Sequence, residues 1–228
     1  MFLSANNQIK WRKIFVATLL VLGLVLLGVF FFDKPLFVFL REFDCRFFRI
    51  LSAVFDDKVW FVATIVAAII FCIKKCAKTD CEFIVNRRKV GLISYVRNFL
   101  ANTKNNNAFL ILYSVLATGI FVKIMKIFIG RARPIFFEAL DMTGFFPPSL
   151  DWAFNSMPSG HTAVSFAGLV MIGMLVPKYK PLTWTVAVLV GLSRIAVGAH
   201  WPSDVLLGAF IGMVIADIVK GTLSKKLN

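Results

Sequence analysis

The sequence predicts an all-α, polytopic membrane protein with six transmembrane helices plus an amphipathic interfacial helix. Of its 228 residues, 59% are hydrophobic and 25 are Phe, while only 17% are charged, which is too apolar for a soluble domain of this length. Six apolar segments recur along the chain, and the basic residues cluster between them. No linker rich in Gly, Ser or Pro divides the chain, so we expect a single membrane-embedded domain over residues 1–228.

The first apolar segment, residues 13–32, is long enough to cross the ~30 Å hydrocarbon core as a helix. A basic start followed by an apolar run also occurs in secretory signal peptides. This segment is long for a signal peptide, however, and it lacks a small-residue cleavage site before Asp33. We therefore expect a retained transmembrane helix.

Residues 35–57 have a different pattern. Apolar side chains such as Leu36, Leu40 and Phe43 recur at three- and four-residue spacing, with charged residues between them. This spacing predicts an amphipathic helix that lies in the membrane interface or packs on the helix bundle.

The later apolar segments predict five further transmembrane helices. They cover residues 59–73, 107–129, 161–176, 182–199 and 204–219. The basic N-terminus, the basic connection 74–104, the turn 177–181 and the basic C-terminus then lie on one side of the membrane. By the positive-inside rule that side is cytoplasmic, so both termini are cytoplasmic and the connections 130–160 and 199–203 face outward.

Charge and cysteine content exclude two other classes of protein. The net charge of +14 would suit nucleic-acid binding, but the basic residues are placed as juxtamembrane charge, so we expect no nucleic-acid partner. The four cysteines, Cys45, Cys72, Cys76 and Cys81, form no convincing disulfide framework, and no histidine lies near them to complete a zinc site. We expect free thiols.

Two cations near the end of the third helix suggest an anion site. Lys126 and Arg133 are seven residues apart, which on a helix places them on one face. Gly130 and Pro134 should stop the helix between them and let both cations converge on one anion. Taken alone, the pair could equally be interfacial basic residues that extend towards the membrane surface.

Both histidines of the chain lie in short polar motifs. His161 follows Pro158-Ser159-Gly160 at a helix start, where unpaired N–H groups and the Ser159 hydroxyl could hold a phosphate that glycine allows to approach closely. The alternative is an ordinary helix cap by Ser159.

The second motif contains Arg194, His200 and Asp204. A carboxylate four residues after His200 can fix the imidazole tautomer, and Arg194 offers a planar fork for two phosphate oxygens. A lone His–Asp pair is often structural, but here two histidines, three cations and a helix start fall on one membrane face.

Together these motifs resemble the type-2 phosphatidic acid phosphatase superfamily, which also contains vanadium haloperoxidases. Lys126-x6-Arg133-Pro134, Pro158-Ser159-Gly160-His161 and Ser193-Arg194-x5-His200-x3-Asp204 match its three signature motifs in order and type, and they define a core over residues 126–204. The six-segment organisation is similar to the membrane branch of the family over nearly the whole chain.

The resemblance implies a catalytic role for each signature residue. His200 would attack phosphorus and form a phosphohistidine, Asp204 would orient it, and His161 would protonate the leaving oxygen. The phosphoryl oxygens would be held by Lys126, Arg133, Ser159, Gly160 and Arg194. Water would then hydrolyse the intermediate, without a metal ion or other cofactor.

The resemblance further implies a multi-pass lipid phosphatase of the bacterial inner membrane, with a periplasmic site. Its partners would be the bilayer and a phosphorylated membrane lipid, and no obligate protein partner is expected. The spacing of Gly208 and Gly212 permits close helix packing, but this packing can be within one chain and does not indicate an oligomer. The aromatic connection 144–154 looks most similar to lipid A phosphatases, including those that remove the 1-phosphate. Phosphatidylglycerophosphate, undecaprenyl pyrophosphate, and a non-enzymatic lipid-binding or transport role remain alternatives.

The sequence offers few carboxylates for a metal ion near the signature motifs. Asp204 is the only one within them, and Glu138, Asp141 and Asp151 are the nearest rivals along the chain. We therefore expect the cations to do the work that a metal ion would otherwise do.

Overall fold

The computed structural model describes residues 1–4, 7–83 and 106–223, and this part of the chain is all-α. The longer helices are α1 (Trp11–Leu27), α4 (Asp57–Phe83), α5 (Asn107–Ile129), α7 (Gly160–Leu175), α8 (Lys180–Ala196) and α9 (Pro202–Leu223). Shorter helices are α2 (Asp33–Arg41), α3 (Arg46–Val54) and α6 (Pro134–Leu140). Most of the basic connection 74–104 lies outside the described residues, as do the side chains of Cys72, Cys76 and Cys81, whereas Cys45 is free and exposed.

Three of the described helical stretches have the length and hydropathy needed to cross a membrane. They are Trp11–Arg41, Asn107–Ile129 and Pro202–Leu223. The first is the most apolar, with a mean hydropathy of 2.9, and only 6% of that window is buried inside the protein. Its side chains therefore face outward, as expected for a helix that borders lipid.

The single amphipathic helix predicted over residues 35–57 is wrong. The first helix instead continues through a π-helical turn, Gly28–Phe32, into α2, and α3 is a separate element. Arg41 fixes the end of α2 by donating to Glu138 Oε1 at 2.9 Å and to the Ala196 carbonyl at 3.0 Å. The backbone at Cys45 is extended, so helix periodicity alone could not reveal this break.

Helix α7 lies at the centre of the bundle, where it packs against α5, α8 and α9. Two glycines allow α9 to approach it closely. A Cβ atom on Gly208 would lie 2.6 Å from the Ser159 carbonyl oxygen, and one on Gly212 would lie 2.2 Å from that of Ala163. Gly208 and Gly212 thus serve intramolecular packing, and they fix the helix that begins beside His161 against the helix that carries Asp204.

Candidate active site

The break between α5 and α6 brings Lys126 and Arg133 together. Gly130 ends α5 in the left-handed region, with φ of 60°, and Pro134 is the first residue of α6. Lys126 Nζ donates to the Asn155 carbonyl at 2.7 Å, and Arg133 Nη2 lies 3.4 Å from the same oxygen. The helix therefore ends where expected, and the two cations meet at one carbonyl oxygen; their binding of a common anion stays a prediction.

His161, the second residue of α7, is paired with a carboxylate that the sequence did not connect to it. Its Nε2 lies 2.7 Å from Asp56 Oδ2, and Asp56 precedes α4. Burial raises the pKa of Asp56, but hydrogen bonds from the Lys58 N–H and from His161 outweigh it, so the pKa lies below its ordinary value. Asp56 is therefore an ionised acceptor beside His161 at neutral pH.

His200 lies between α8 and α9 and is 1% exposed. Its Nδ1 is 3.7 Å from Asp204 Oδ2 and 3.5 Å from Ser156 Oγ, while Ser156 donates to the same Oδ2 at 2.6 Å. Asp204 thus faces the Nδ1 side of the imidazole, and Ser156 lies beside both groups.

The environment of His200 keeps its imidazole neutral. Burial lowers the pKa of His200 well below 6.5, the Asp204 carboxylate opposes this shift, and the cations Lys126, Arg133 and Arg194 lower the pKa further. A neutral imidazole keeps a lone pair, as a nucleophile requires.

Arg194 reaches the site from the end of α8. Its Nη1 donates to Ser52 Oγ on α3, and its Nε is buried without a hydrogen-bond partner in the described part of the chain. A buried donor without a partner costs free energy, so an anion bound beside Arg194 would satisfy it.

Ser159 and Gly160 differ in their positions. The Ser159 side chain is buried, with its hydroxyl 2.9 Å from that of Thr162, and its N–H donates to the Asp204 carbonyl at 3.0 Å. Gly160 lines the cavity, and a Cβ atom there would lie 3.7 Å from Lys126 Cε. The structure therefore places Gly160, but not the Ser159 hydroxyl, at the cavity wall.

A cavity of about 540 Å³ joins these elements. Its lining includes six of the eight predicted site residues: Lys126, Arg133, Gly160, His161, Arg194 and His200. Asp204 lies behind His200, fully buried. The cavity therefore combines two imidazoles with three cations, an arrangement suited to a phosphoryl group.

Four supporting residues at or behind this cavity were not among the predicted site residues: Asp33, Asp56, Arg131 and Ser156. Arg131 lies within the first signature motif and Ser156 just before the second, whereas Asp33 and Asp56 are far from every signature motif along the chain. The carboxylates that line this cavity are Asp56 and Asp57 rather than Glu138, Asp141 and Asp151, which lie nearer to the signature motifs along the chain. The ligand atoms of Asp56, Asp57 and His161 lie within 4.8 Å of one another, a spacing that could also accommodate a cation.

Several known proteins are similar to this chain in sequence or in fold. The chain is similar to the lipid A 1-phosphatase of Rhizobium johnstonii, with 26% identity over 90% of this chain and 77% of the relative. It is also similar to the lipid A 1-phosphatase of Rhizobium etli, with 27% identity over 90% and 81%. The crystal structure of Aquifex aeolicus LpxE has the same fold, with a TM-score of 0.55 and 20% identity, covering 84% of this chain and 96% of that one.

A family model covers most of the cavity residues. The model of the PAP2 superfamily matches residues 107–226, which include all three signature motifs, and phosphatases of this family are metal-independent. The match extends over more than half of the chain, so the protein belongs to the PAP2 superfamily and is a membrane lipid phosphatase.

Proposed function

We propose that this phosphatase removes a phosphate from a lipid at the periplasmic face of a bacterial inner membrane, through a phosphohistidine at His200. The observation that carries the proposal is the convergence of His161 and His200 with three cations in one cavity. Lipid A, at its 1-phosphate, is the substrate we infer.

The first chemical step is attack on phosphorus by Nε2 of His200, because Nδ1 faces Asp204 and Ser156. The P–O bond to the lipid breaks as the P–N bond forms, and His161 donates a proton to the departing oxygen. Lys126, Arg133, Gly160 and Arg194 surround the transferring group, with Ser159 supporting the start of α7 from behind. Their positive charge stabilises the phosphoryl oxygens in the transition state.

Water completes the reaction in the second step. It attacks the phosphohistidine, gives a proton back to His161 and releases inorganic phosphate, which restores both histidines to their starting states. This sequence needs neither a metal ion nor another cofactor, because the three cations neutralise the charge that a metal ion would otherwise neutralise.

The proposed topology has six transmembrane helices within a single domain over residues 1–228, with the signature core at 126–204. They correspond to Trp11–Arg41, α4, α5, α7, α8 and α9, while α3 lies at the interface. Basic residues lie at both ends of the chain and in the connections 74–104 and 177–181. By the positive-inside rule, this pattern favours cytoplasmic termini and a periplasmic cavity. Reporter fusions should read as cytoplasmic after residues 90 and 179 and as periplasmic near residue 145. A periplasmic signal after residue 90 would contradict this topology.

Lipid A is favoured because both Rhizobium relatives named lipid A 1-phosphatase align over 90% of this chain. Relatives named phosphatidylglycerophosphatase B and undecaprenyl-diphosphatase align over shorter stretches, so these lipids are the alternatives. Purified protein should be given each lipid in mixed micelles, and kcat/KM compared. Mass spectrometry should find lipid A that has lost its 1-phosphate; a higher kcat/KM on either alternative lipid would overturn the choice of substrate.

The mechanism is tested by trapping the intermediate. His200→Ala should abolish both turnover and the acid-labile phosphoenzyme, whereas His161→Ala should slow the release of the lipid without removing the nucleophile. A phosphoenzyme that persists in the His200→Ala variant would refute the assignment of the nucleophile.

A further inference from the structure

A chain of buried charges runs from the first helix to the candidate catalytic carboxylate. Arg131 Nη2 donates to Asp33 Oδ2 at 2.6 Å, and Arg131 Nη1 donates to Asp204 Oδ1 at 2.7 Å. All three residues are buried: Asp33 is 2% exposed, Arg131 5% and Asp204 0%. Ser203 joins the chain, because it accepts from Arg131 Nη1 at 2.7 Å and its hydroxyl donates to Asp33 Oδ2 at 2.5 Å.

Asp33 lies in an unusual position for a carboxylate. It follows the π-helical turn of the most apolar helical stretch, and it precedes the residues that the family model matches. Desolvation strongly disfavours a buried carboxylate unless it is paired, so a charge at such a position points to a functional requirement. Asp33 also accepts from the Ser203 N–H at 2.9 Å, and this contact holds the first turn of α9.

These contacts determine how Asp204 faces His200. Arg131 occupies Oδ1, whereas Oδ2 accepts from Ser156 at 2.6 Å and from the Trp201 N–H at 3.0 Å, and it is the oxygen nearest to His200. The Arg131 guanidinium is itself fixed, because Asp33 holds its other nitrogen and the Trp201 ring lies 5.3 Å from its central carbon. Without Asp33, that second nitrogen would lose its partner and Arg131 could turn away from Oδ1.

We propose that Asp33 is a positioning residue that acts through Arg131 and Ser203 to hold Asp204, and hence His200, in the geometry needed for attack on phosphorus. This inference rests on the proposed function, because it requires His200 as the nucleophile. On this proposal, the helical stretch Trp11–Arg41 contributes a residue, Asp33, that sets the orientation of the catalytic carboxylate.

The test is the Asp33→Asn variant, assayed for turnover and for inhibition by orthovanadate. The amide keeps the shape of the side chain but not the charge that holds Arg131. We expect kcat to fall about 10- to 100-fold with KM within about twofold, because misplacement of a catalytic group by about 1 Å has an effect of this size. The inhibition constant for vanadate, which resembles the five-coordinate transition state, should rise in parallel. If the substitution only reduced the fraction of folded protein, kcat would fall while the vanadate constant stayed the same, and this result would overturn the proposal.

Asp217→Asn provides a matched control. Asp217 is also a fully buried carboxylate, and it lies towards the other end of α9, where it accepts from the Phe2 N–H. We expect its kcat and vanadate constant to stay within about twofold of the wild type. Equal effects from the two substitutions would also overturn the proposal.

If Asp33→Asn does not fold, Ser203→Ala decides the question. It removes the hydroxyl that links Arg131 to Asp33 and keeps both charges, so we expect a smaller, about fivefold loss of kcat with a parallel rise in the vanadate constant. An unchanged vanadate constant in this variant would refute the proposal. Failure of the proposed function is a separate result: wild-type enzyme would resist vanadate, or His200→Ala would remain active.

Discussion

The Asp56–His161 pair allows a quantitative prediction about the proposed acid. In Asp56→Asn, the ionised acceptor 2.7 Å from His161 Nε2 becomes a neutral amide of the same shape. A hydrogen bond to a charged group contributes about 1.5–3 kcal/mol, and about 1.4 kcal/mol corresponds to a factor of ten in rate. The Asp56 side chain is 33% exposed, which screens its charge, so we expect the lower end of that range. Loss of the carboxylate should therefore slow proton donation about tenfold.

The assay compares two leaving groups on the same enzyme preparation. A lipid phosphate has a poor alkoxide leaving group that needs the proton from His161, whereas an aryl phosphate with an acidic phenol leaves without it. Asp56→Asn should lower kcat/KM about tenfold on the lipid and less than about twofold on the aryl ester.

Asp57→Asn is the matched control for this variant. Asp57 is adjacent and also accepts from the Lys58 N–H, but it does not contact His161 directly at hydrogen-bond distance in the described structure. Its carboxylate lies within 4.8 Å of the imidazole without a hydrogen bond to it, so Asp57→Asn should change the ratio of the two kcat/KM values less than Asp56→Asn does. If Asp56→Asn lowers both values equally, or if Asp57→Asn changes the ratio as much, then Asp56 does not support an acid at His161.

Three further predictions concern packing, protonation and metal ions. Gly212→Ala should lower the free energy of unfolding by about 1–3 kcal/mol, because the new Cβ would clash with the Ala163 carbonyl oxygen. Gly23→Ala should not lower it, because a Cβ at Gly23 would have no neighbour within 4 Å. Equal melting temperatures of the two variants in detergent would contradict this prediction. Burial, and after it the nearby cations, lower the pKa of His200 in the folded protein. Below about pH 6.5 the unfolded chain therefore binds a proton at this residue that the folded chain does not bind. The free energy of unfolding should fall as the pH drops from 7 to 5, and it should fall less in His200→Gln. An equal pH dependence in both proteins would count against a neutral, buried His200. The enzyme should remain active in excess chelator and should be inhibited by vanadate. Activity that is lost in chelator and restored by magnesium would contradict a reaction that depends only on the cationic side chains. That result would point to a metal ion at the donor atoms of Asp56, Asp57 and His161.

Much of the helical framework could be predicted from hydropathy. The bounds expected for the third apolar helix, residues 107–129, are those of α5, and the helix start at Gly160 and the break at Gly130 follow from local backbone chemistry. These features depend on neighbouring residues, so the sequence alone specifies them.

The supporting carboxylates could not be predicted in this way. Asp56 lies 105 residues from His161, and Asp33 lies 98 residues from Arg131, so only the packing of the helices brings them together. Along the chain both residues look like members of a balanced set of interfacial charges. The split between α2 and α3 was missed for a related reason, because contacts of Arg41 with distant residues determine where the first helix ends.

The close contact between α7 and α9 also limits how this enzyme can be redesigned. Gly208 and Gly212 leave no space for even a methyl group against the backbone at Ser159 and Ala163. Libraries that aim at a new lipid headgroup would lose most of their members to unfolding if they varied this contact. Diversity is better placed in the aromatic connection 144–154, whose Trp152 lines the cavity and contacts neither histidine among the hydrogen bonds of the described residues. The same glycines are sensible sites to leave untouched when stabilising substitutions are sought for purification in detergent.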